Sequence, residues 1–291
     1  MSRSGPGVIA VGVIFLRESI EASMVVSILL AILDRMGKRE YFRDVFYGVG
    51  AAFVFVLGGS VAIYFTIRRY SGTTFQTIFE TFTYLVAAVI LTFMTFWMRR
   101  HARSFFSEMA DKVDHVMSAR QRLGLSVLAF QAVGREGLET AVFTIAIVFA
   151  AGSRGAIWGA LVGLIAGLSL SIAIFRFGRR INMRRLFNVV GSLLMVFAAG
   201  LVADSVENMQ QLGWLPFLRA PLWNSSHFLS ESSSTGDIFH SFFGYADHPT
   251  ALQLGVYLLY LVSVFASLFA MKYRRRRGYL VSIPAESQVS V

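Results

Sequence analysis

The sequence contains no cysteine, which excludes disulfide bonds and every metal site that is built on thiolate ligands. Charge is also scarce, because 15% of the residues are charged whereas soluble domains carry roughly 25%. No long polar linker divides the chain, so residues 1–291 are expected to form a single domain. The first seven residues lack the basic region and the small-residue cleavage site of a signal peptide, and we expect the first apolar run to be retained.

Hydrophobic residues make up 55% of the chain, and the mean hydropathy is +0.61. Several apolar runs are near 20 residues long, which is the length that crosses a membrane as a helix. We predict an all-α integral membrane protein with seven such helices. The predicted spans are 8–33, 45–67, 79–98, 123–150, 156–175, 186–206 and 251–271.

Lysine and arginine are distributed unevenly between the segments that join these spans. Twenty of them lie in 34–44, 99–122, 176–185 and the tail 272–291, whereas five lie in the segments on the other side. The positive-inside rule then places the N-terminus outside the cell membrane and the C-terminus in the cytoplasm. The net charge of +10 is explained by this cytoplasmic arginine, and no nucleic-acid partner is expected.

One charged motif occurs twice, inside the first and the fourth predicted spans. The copies are Arg17-Glu18-Ser19-Ile20-Glu21 and Arg135-Glu136-Gly137-Leu138-Glu139. A charge costs about 2.5–3.5 kcal/mol to insert at the centre of a membrane helix, so intramembrane charges mark functional sites by default.

Helical spacing gives each copy a definite geometry. The two glutamates are three residues apart and share a helix face, and the arginine can form a salt bridge with the glutamate four residues later. Four glutamates and two arginines sum to a charge of −2, which suits a multivalent cation, and a site built only of oxygen ligands favours a hard ion. The alternative is that the charges neutralise one another and only hold two helices together.

The position of the motifs predicts a 3+3 inverted repeat. Three spans separate the starts of the two copies, so the first and fourth spans cross in opposite directions. Repeat one covers about 8–98 and repeat two about 123–206, and they are followed by an external loop at 207–250, a last helix at 251–271 and a basic cytoplasmic tail at 272–291. In such folds the substrate site lies near the membrane midplane, where Glu18, Glu21, Glu136 and Glu139 would converge.

Further polar residues lie near both ends of the predicted bundle. Glu80, Asp204 and Glu207 are a candidate outer entrance for cations, with solvated helix ends as the alternative. A candidate cytoplasmic exit consists of residues that recur every three or four positions on a predicted amphipathic helix; they are Glu108, Asp111, Asp114 and His115. The alternative is a solvated helix face paired with Lys112 and the nearby arginines. The loop 207–250 contains scattered acids and histidines without a compact ligand spacing; they are His227, Glu231, Asp237, His240, Asp247 and His248. The methionines are expected to be packing or lipid-facing residues.

The repeated motif resembles the hallmark of the oxidase-dependent iron permeases, the family of the fungal high-affinity iron permease and the bacterial EfeU-type permease. That hallmark is Arg-Glu-Gly-Leu-Glu in the first and fourth membrane helices. The second copy matches it fully, whereas the first has Ser19 and Ile20 in place of glycine and leucine. The resemblance extends to Phe96-Trp97-Met98-Arg99 and Ala198-Ala199-Gly200-Leu201.

The resemblance implies an iron permease and not an enzyme. It implies that Glu18, Glu21, Glu136 and Glu139 handle the iron, and that Arg17 and Arg135 keep these carboxylates ionised and oriented. It also implies that an extracytoplasmic oxidase or peroxidase-type partner oxidises ferrous iron and that the ferric ion is imported. No permanent cofactor is expected, and a homo-oligomer is left open.

Two other classes fit the same residues less well. A carrier of another hard divalent cation, driven by protons or sodium, would also use paired intramembrane glutamates. An intramembrane enzyme is disfavoured because the predicted spans contain no His-Glu-x-x-His zinc motif and no histidine.

Overall fold

The computed structural model describes residues 6–69, 72–101, 105–118, 122–151, 153–177, 183–230 and 233–281. Within these ranges the chain is helical, with a single turn of 3-10 helix at Arg39–Tyr41 and an isolated bridge between Pro221 and Thr250. The α-helices are α1 (Pro6–Arg35), α2 (Phe42–Arg69), α3 (Thr74–His101), α4 (Phe105–Ser118), α5 (Arg122–Ala151), α6 (Ser153–Phe177), α7 (Met183–Gln211), α8 (Ser234–Phe243) and α9 (Ala251–Val281).

In the part of the chain that the structure describes, four helical segments are long and apolar enough to cross a membrane. They are Arg39–Ile63, Thr74–Met98, Asn188–Gln211 and Ala251–Met271, and α6 adds a shorter apolar stretch at Ile157–Leu170. Helices α1 and α5 have 30 residues each, which is about 45 Å at 1.5 Å per residue. Both are long enough to cross, but their apolar sequence is interrupted by the three charges of the motif.

The helices pack in a reciprocal pattern. Helix α1 packs against α6, and α2 packs against α5; α3 packs against α7, and α1 also contacts α5. Glycine allows the first two pairs to approach closely. A Cβ on Gly163 would lie 2.3 Å from the carbonyl oxygen of Gly12, and a Cβ on Gly48 would lie 2.1 Å from that of Ser126. Small residues at such contacts are typical of membrane helices, which gain packing energy from close approach.

Two apolar clusters lie on either side of the motif. The first joins the start of α1 to the end of α5 and to α3 and α7, and the second joins the end of α1 to the start of α5 and to α2 and α4. Helices α1 and α5 are therefore antiparallel, and the charged layer lies between the two clusters. The first cluster includes Val11, Ile14, Tyr84, Leu91, Phe143, Ile147 and Leu201; the second includes Val25, Leu29, Val45, Met109, Val113 and Leu125.

The segment 207–250 differs from the expected external loop. Helix α7 continues to Gln211, and the segment contains α8, which packs against α1 and α7. Ser233 caps the start of α8 by accepting a hydrogen bond from the Gly236 amide, and Gly244 ends it with a φ of 63°. Gly244 lies against Gly200, which is eleven residues, or about 16 Å of helix, before Gln211. The loop therefore folds back along α7.

The C-terminal region also differs from the expectation. Helix α9 continues from the predicted last span through the arginine run to Val281, so the first ten residues of the predicted tail are helical. Residues 282–291 lie outside the described residues. A run of arginine does not end a helix, because arginine has a high helix propensity.

Candidate metal site

The two salt bridges that the sequence predicts within the motif are present. In the first copy the Nε of Arg17 lies 2.8 Å from Glu21 Oε1, and its Nη1 donates to Glu18 Oε1 at 3.0 Å. In the second copy the Nε of Arg135 donates to Glu139 Oε1 at 3.1 Å. The Arg17–Glu21 and Arg135–Glu139 contacts join residues four positions apart, because side chains one helical turn apart lie on the same face.

Three of the four glutamates come together. Glu18, Glu136 and Glu139 each offer one carboxylate oxygen, and these oxygens all lie within 4.8 Å of one another. All three residues are buried. Glu21 is buried as well, but it lies against Arg17 and is not a member of this group. The antiparallel contact of α1 with α5 produces the convergence, since neither motif alone holds three carboxylates within this distance.

Each member of the three-carboxylate group has an oxygen without a hydrogen-bond partner among the described residues; these atoms are Glu18 Oε2, Glu136 Oε2 and Glu139 Oε2. Leaving a buried polar atom unpaired costs about 1–3 kcal/mol, and more for a charged group. A hard cation bound between the three carboxylates would satisfy these atoms and offset their mutual repulsion. The arrangement therefore fits a metal ion, with carboxylate oxygen as its ligand.

The two arginines differ in burial. The Arg17 side chain is 3% exposed and contacts both glutamates of its own motif. The Arg135 side chain is 45% exposed and contacts one. The two copies are thus alike in sequence but not in environment, and Arg17 carries more of the charge balance in the buried layer.

Helix α3 holds both arginines, which the sequence interpretation missed. The Nη2 of Arg17 donates to the sulfur of Met98 at 3.7 Å, and the Nη2 of Arg135 donates to that of Met94 at 3.3 Å. The guanidinium of Arg135 also lies over the Trp97 ring, 5.0 Å from its centroid. Met94 is buried, as expected of a packing methionine, but the acceptance of an arginine hydrogen bond by Met94 and Met98 was not predicted. Their spacing of four residues, with Trp97 between them, was the available signal.

The candidate outer acids lie near Tyr84 and are not members of the three-carboxylate group. Tyr84 is within electrostatic range of Glu80, Asp204 and Glu207. Glu80 accepts from Gln76 Nε2 at 2.6 Å. Glu207 accepts from Gln253 Nε2 at 3.1 Å and from Gln211 Nε2 at 3.2 Å.

Helix α8 adds a histidine to this outer region. His240 Nε2 lies 3.9 Å from Asp204 Oδ2, and the His240 ring Nδ1 lies 2.8 Å from the Tyr245 carbonyl oxygen. Of the other polar loop residues, His248 Nδ1 lies 2.7 Å from Asp247 Oδ1, and Glu231 lies outside the described residues. Only the fold of the segment could bring His240 to Asp204, because 36 residues separate them in the sequence.

The amphipathic helix predicted after the third span is α4. Its apolar face is buried through Met109, Val113 and Met117, which recur every four residues. The candidate exit residues lie on the opposite, exposed side; they are Glu108, Asp111, Asp114 and His115. Among the described residues, these four do not approach one another as a group of metal ligands.

A cavity of about 1330 Å³ includes the glutamate site in its wall. Glu18 and Glu136 both line it, and it extends along α1 to Asp34 and Arg39 and along α5 towards Gln76. One face of α1 and one face of α5 form much of the wall, and α2 and α6 add residues that are apolar except for Ser60. The cavity gives the buried carboxylates a route towards both ends of the bundle.

Comparison with known proteins assigns the chain to a family. The sequence profile described as the iron permease FTR1 family matches residues 8–279. A protein named ferrous iron permease EfeU from Yersinia pestis is 29% identical over 258 residues, which are 88% of this chain and 91% of that protein.

Two further relatives carry the same name. The protein from Shigella sonnei (strain Ss046) is 29% identical over 90% of this chain and 95% of its own length. The protein from Escherichia coli O6:K15:H31 is 30% identical over 86% of this chain and 91% of its own length. No solved structure matches the chain significantly.

Proposed function

Because the chain belongs to the iron permease FTR1 family, we propose that it imports iron across the cell membrane through the carboxylates of Glu18, Glu136 and Glu139. The observation that carries the proposal is the set of three buried carboxylate oxygens without hydrogen-bond partners in the three-carboxylate group. Glu21 contributes to the charge of the site and, with Glu18, fixes Arg17. Iron is the transported substrate, and no resident cofactor is part of the proposal.

The ligand set supports ferric iron as the transported ion. Carboxylate oxygen is a hard ligand. The sequence has no cysteine, and the sulfurs of Met94 and Met98 accept hydrogen bonds from the arginines. The relatives are named for ferrous iron. We therefore propose that ferrous iron is supplied, that an extracytoplasmic oxidase or peroxidase-type partner accepts one electron from it, and that the resulting ferric ion enters the permease.

The packing supports seven crossings arranged as an inverted repeat plus one helix. If α1, α2 and α3 correspond to α5, α6 and α7, a two-fold axis converts the contact of α1 with α6 into the contact of α5 with α2. Both contacts are present. The cavity wall supports the same relation, because its residues on α1 and α5 correspond at a constant offset of 118; Glu18 and Glu136 are one such pair. Helix α9 is the seventh crossing.

The orientation follows from the arginine distribution, with the N-terminus outside and the C-terminus in the cytoplasm. The absence of cysteine allows a direct test, since each introduced cysteine is the only thiol. Ser233→Cys, at the start of α8, should react with an impermeant thiol reagent in intact cells. Lys112→Cys, on the exposed face of α4, should react only after the membrane is opened. The reverse pattern would overturn the orientation.

The test of function is transport of labelled iron by the purified protein in liposomes. Glu136→Gln and Glu139→Gln should abolish uptake, whereas Glu40→Gln, an exposed acid outside the site, should not. Ferric and ferrous iron are compared, the latter with a reductant. Uptake of another divalent cation in preference to iron, dependent on a proton or sodium gradient, would favour the alternative carrier, and normal iron uptake by both glutamine variants would refute the proposed site.

Iron binding can be tested separately from transport. A ligand that binds only the folded protein raises its unfolding temperature. At a free ligand concentration of about 100 times Kd, the stabilisation is about 2.7 kcal/mol. Iron should therefore stabilise the natural protein in detergent and should not stabilise Glu136→Gln. The exposed Glu40→Gln variant should respond to iron as the natural protein does.

A further inference from the structure

The end of the cavity towards Asp34 has few polar groups, and they lie in a line on α1. From the glutamate site, the cavity wall continues through Ser23 and Ser27 to Asp34, with Arg39 beside it at the mouth. The other described residues of this part of the wall are apolar, and they include Val26, Leu30 and Phe42. Glu18 and Asp34 are 16 residues apart, so this part spans about 24 Å of helix.

The serine hydroxyls are available to a ligand. In the opposite part of the cavity, Thr140 and Thr144 donate to the carbonyls of Glu136 and Thr140, and Ser60 donates to that of Val56. Ser23 and Ser27 make no hydrogen bond with any described residue. A helical serine commonly donates to the carbonyl one turn back, which fixes the direction of its hydroxyl. Without this bond, Ser23 and Ser27 can rotate to turn their oxygen lone pairs towards a cation.

The two halves of the cavity therefore differ although their helix faces correspond. Ser23 and Ser27 on α1 correspond to Ala141 and Ile145 on α5, at the same offset of 118 residues. Among the described lining residues, the asymmetry places serine hydroxyls that no hydrogen bond fixes on the Asp34 side of the glutamates. A buried carboxylate oxygen without a partner, Glu18 Oε2, lies at the start of this line, and Glu18 is 3% exposed.

We infer that Ser23, Ser27 and Asp34 form the exit path of the transported cation from the three-carboxylate group to the cytoplasm. This inference rests on the proposed function and on the proposed orientation. An ion leaving the carboxylates enters an apolar passage, where loss of its hydration is costly. Hydroxyl oxygens about 6 Å apart, together with water, supply successive ligands along the passage. Asp34 attracts the ion at the mouth, and its hydrogen bond with Arg39 must open for the ion to leave.

The first test separates release from binding. In Ser23→Ala/Ser27→Ala, iron binding by the purified protein should stay within about twofold of the natural protein, whereas the transport rate in liposomes should fall at least about tenfold, which corresponds to about 1.4 kcal/mol of barrier. The matched control is Ser263→Ala/Ser267→Ala on α9, whose hydroxyls bond to their own helix and are exposed. This control should transport normally.

The outcomes are decisive in both directions. Normal transport by a well-inserted Ser23→Ala/Ser27→Ala protein overturns the exit path. Loss of iron binding in that variant also overturns it, because the serines would then belong to the binding site. The proposed function fails in a different way, namely if Glu136→Gln still binds iron and transports it.

A second test does not depend on the alanine variant folding well. Ser27→Cys should react with an impermeant thiol reagent from the cytoplasmic side only, and bound iron in the natural site should slow the reaction by occupying the passage. Ser263→Cys is exposed on α9 but lies within the candidate membrane span Ala251–Met271, so lipid should cover it and the impermeant reagent should not reach it. Reaction of Ser27→Cys only with a lipid-soluble reagent would show that the cavity holds lipid, and the inference would be wrong.

Discussion

Ser19 of α1 and Gly167 of α6 are packed so closely that a Cβ on Gly167 would lie 2.6 Å from the Ser19 Cβ. In the second motif the glycine is on the motif helix itself. A Cβ on Gly137 of α5 would lie 2.7 Å from Val56 Cγ2 of α2. Ser19 and Gly137 occupy the same place in the two motifs. Serine in the first motif is thus accommodated by a glycine on the neighbouring helix, and the close approach of the helices is kept.

The first prediction concerns this close packing. Gly163→Ala places a Cβ 2.3 Å from the backbone oxygen of Gly12, which cannot move without shifting α1. We expect a loss of about 1–3 kcal/mol of stability, the usual cost of overpacking. The measurement is the unfolding temperature of the purified protein.

The control for this prediction is Gly58→Ala on α2, where nothing lies within 4 Å of the added carbon. Alanine should there keep or raise stability, since glycine costs a helix about 0.8–1.0 kcal/mol relative to alanine. Equal stability of Gly163→Ala and Gly58→Ala would contradict the close contact of α1 with α6.

The second prediction concerns the arginines. Arg17→Ala removes the cation that contacts both Glu18 and Glu21, so we expect loss of iron uptake and of about 3–5 kcal/mol of stability, the usual cost of breaking a buried pair. Arg135→Ala should also lower uptake but should destabilise the fold less, because its side chain is 45% exposed. Uptake of labelled iron and membrane abundance are measured in parallel.

Lysine at either position tests whether charge alone is sufficient. It keeps the positive charge but loses the planar fork of donors, so uptake should recover only in part. Normal uptake by a well-expressed Arg135→Ala protein would show that its pair with Glu139 is dispensable and would direct attention to Glu80, Asp204 and Glu207.

The third prediction concerns the role of α3 as a support for Arg135. Trp97→Ala removes the ring under the guanidinium, an interaction worth about 0.5–2 kcal/mol, and should lower iron affinity several-fold. Trp97→Phe should retain part of the affinity. The control is Trp158→Ala, an exposed tryptophan of α6.

A merely structural role of Trp97 can be distinguished by a double-mutant cycle. If Trp97 acts by positioning Arg135, Trp97→Ala should cost little iron affinity in the Arg135→Ala background, where the guanidinium that the ring contacts is gone. Additive losses of iron affinity would mean that Trp97 acts on the site independently of Arg135.

The fourth prediction concerns the contact of α8 with α7. Gly244 and Gly213 both have positive φ, at 63° and 80°, but only Gly244 lies against another backbone, because a Cβ there would lie 2.5 Å from the Gly200 Cα. Gly213→Ala should cost about 1–2 kcal/mol for the backbone conformation alone. Gly244→Ala should lower the unfolding temperature of the purified protein further, because α8 must also shift away from α7. Equal effects of the two alanines would mean that α8 is not held against α7.

Local sequence determined the membrane class, most helix positions and the two internal salt bridges. These features depend on composition and on helical spacing, which act over a few residues, so the Arg17–Glu21 and Arg135–Glu139 contacts could be predicted. The amphipathic helix α4 was predictable for the same reason, since its buried residues recur every four positions. Helix ends were less accurate, as α7 and α9 show by continuing beyond the predicted spans.

Tertiary structure alone decided which of the charged residues meet. The rotation of α1 against α5 places Glu18 in the three-carboxylate group and leaves Glu21 with Arg17. The position of α3 brings Met94 and Trp97 to Arg135, and the return of α8 brings His240 to Asp204. These contacts join residues that are distant in sequence, and they depend on helix rotation and crossing, which the packing of many side chains sets together.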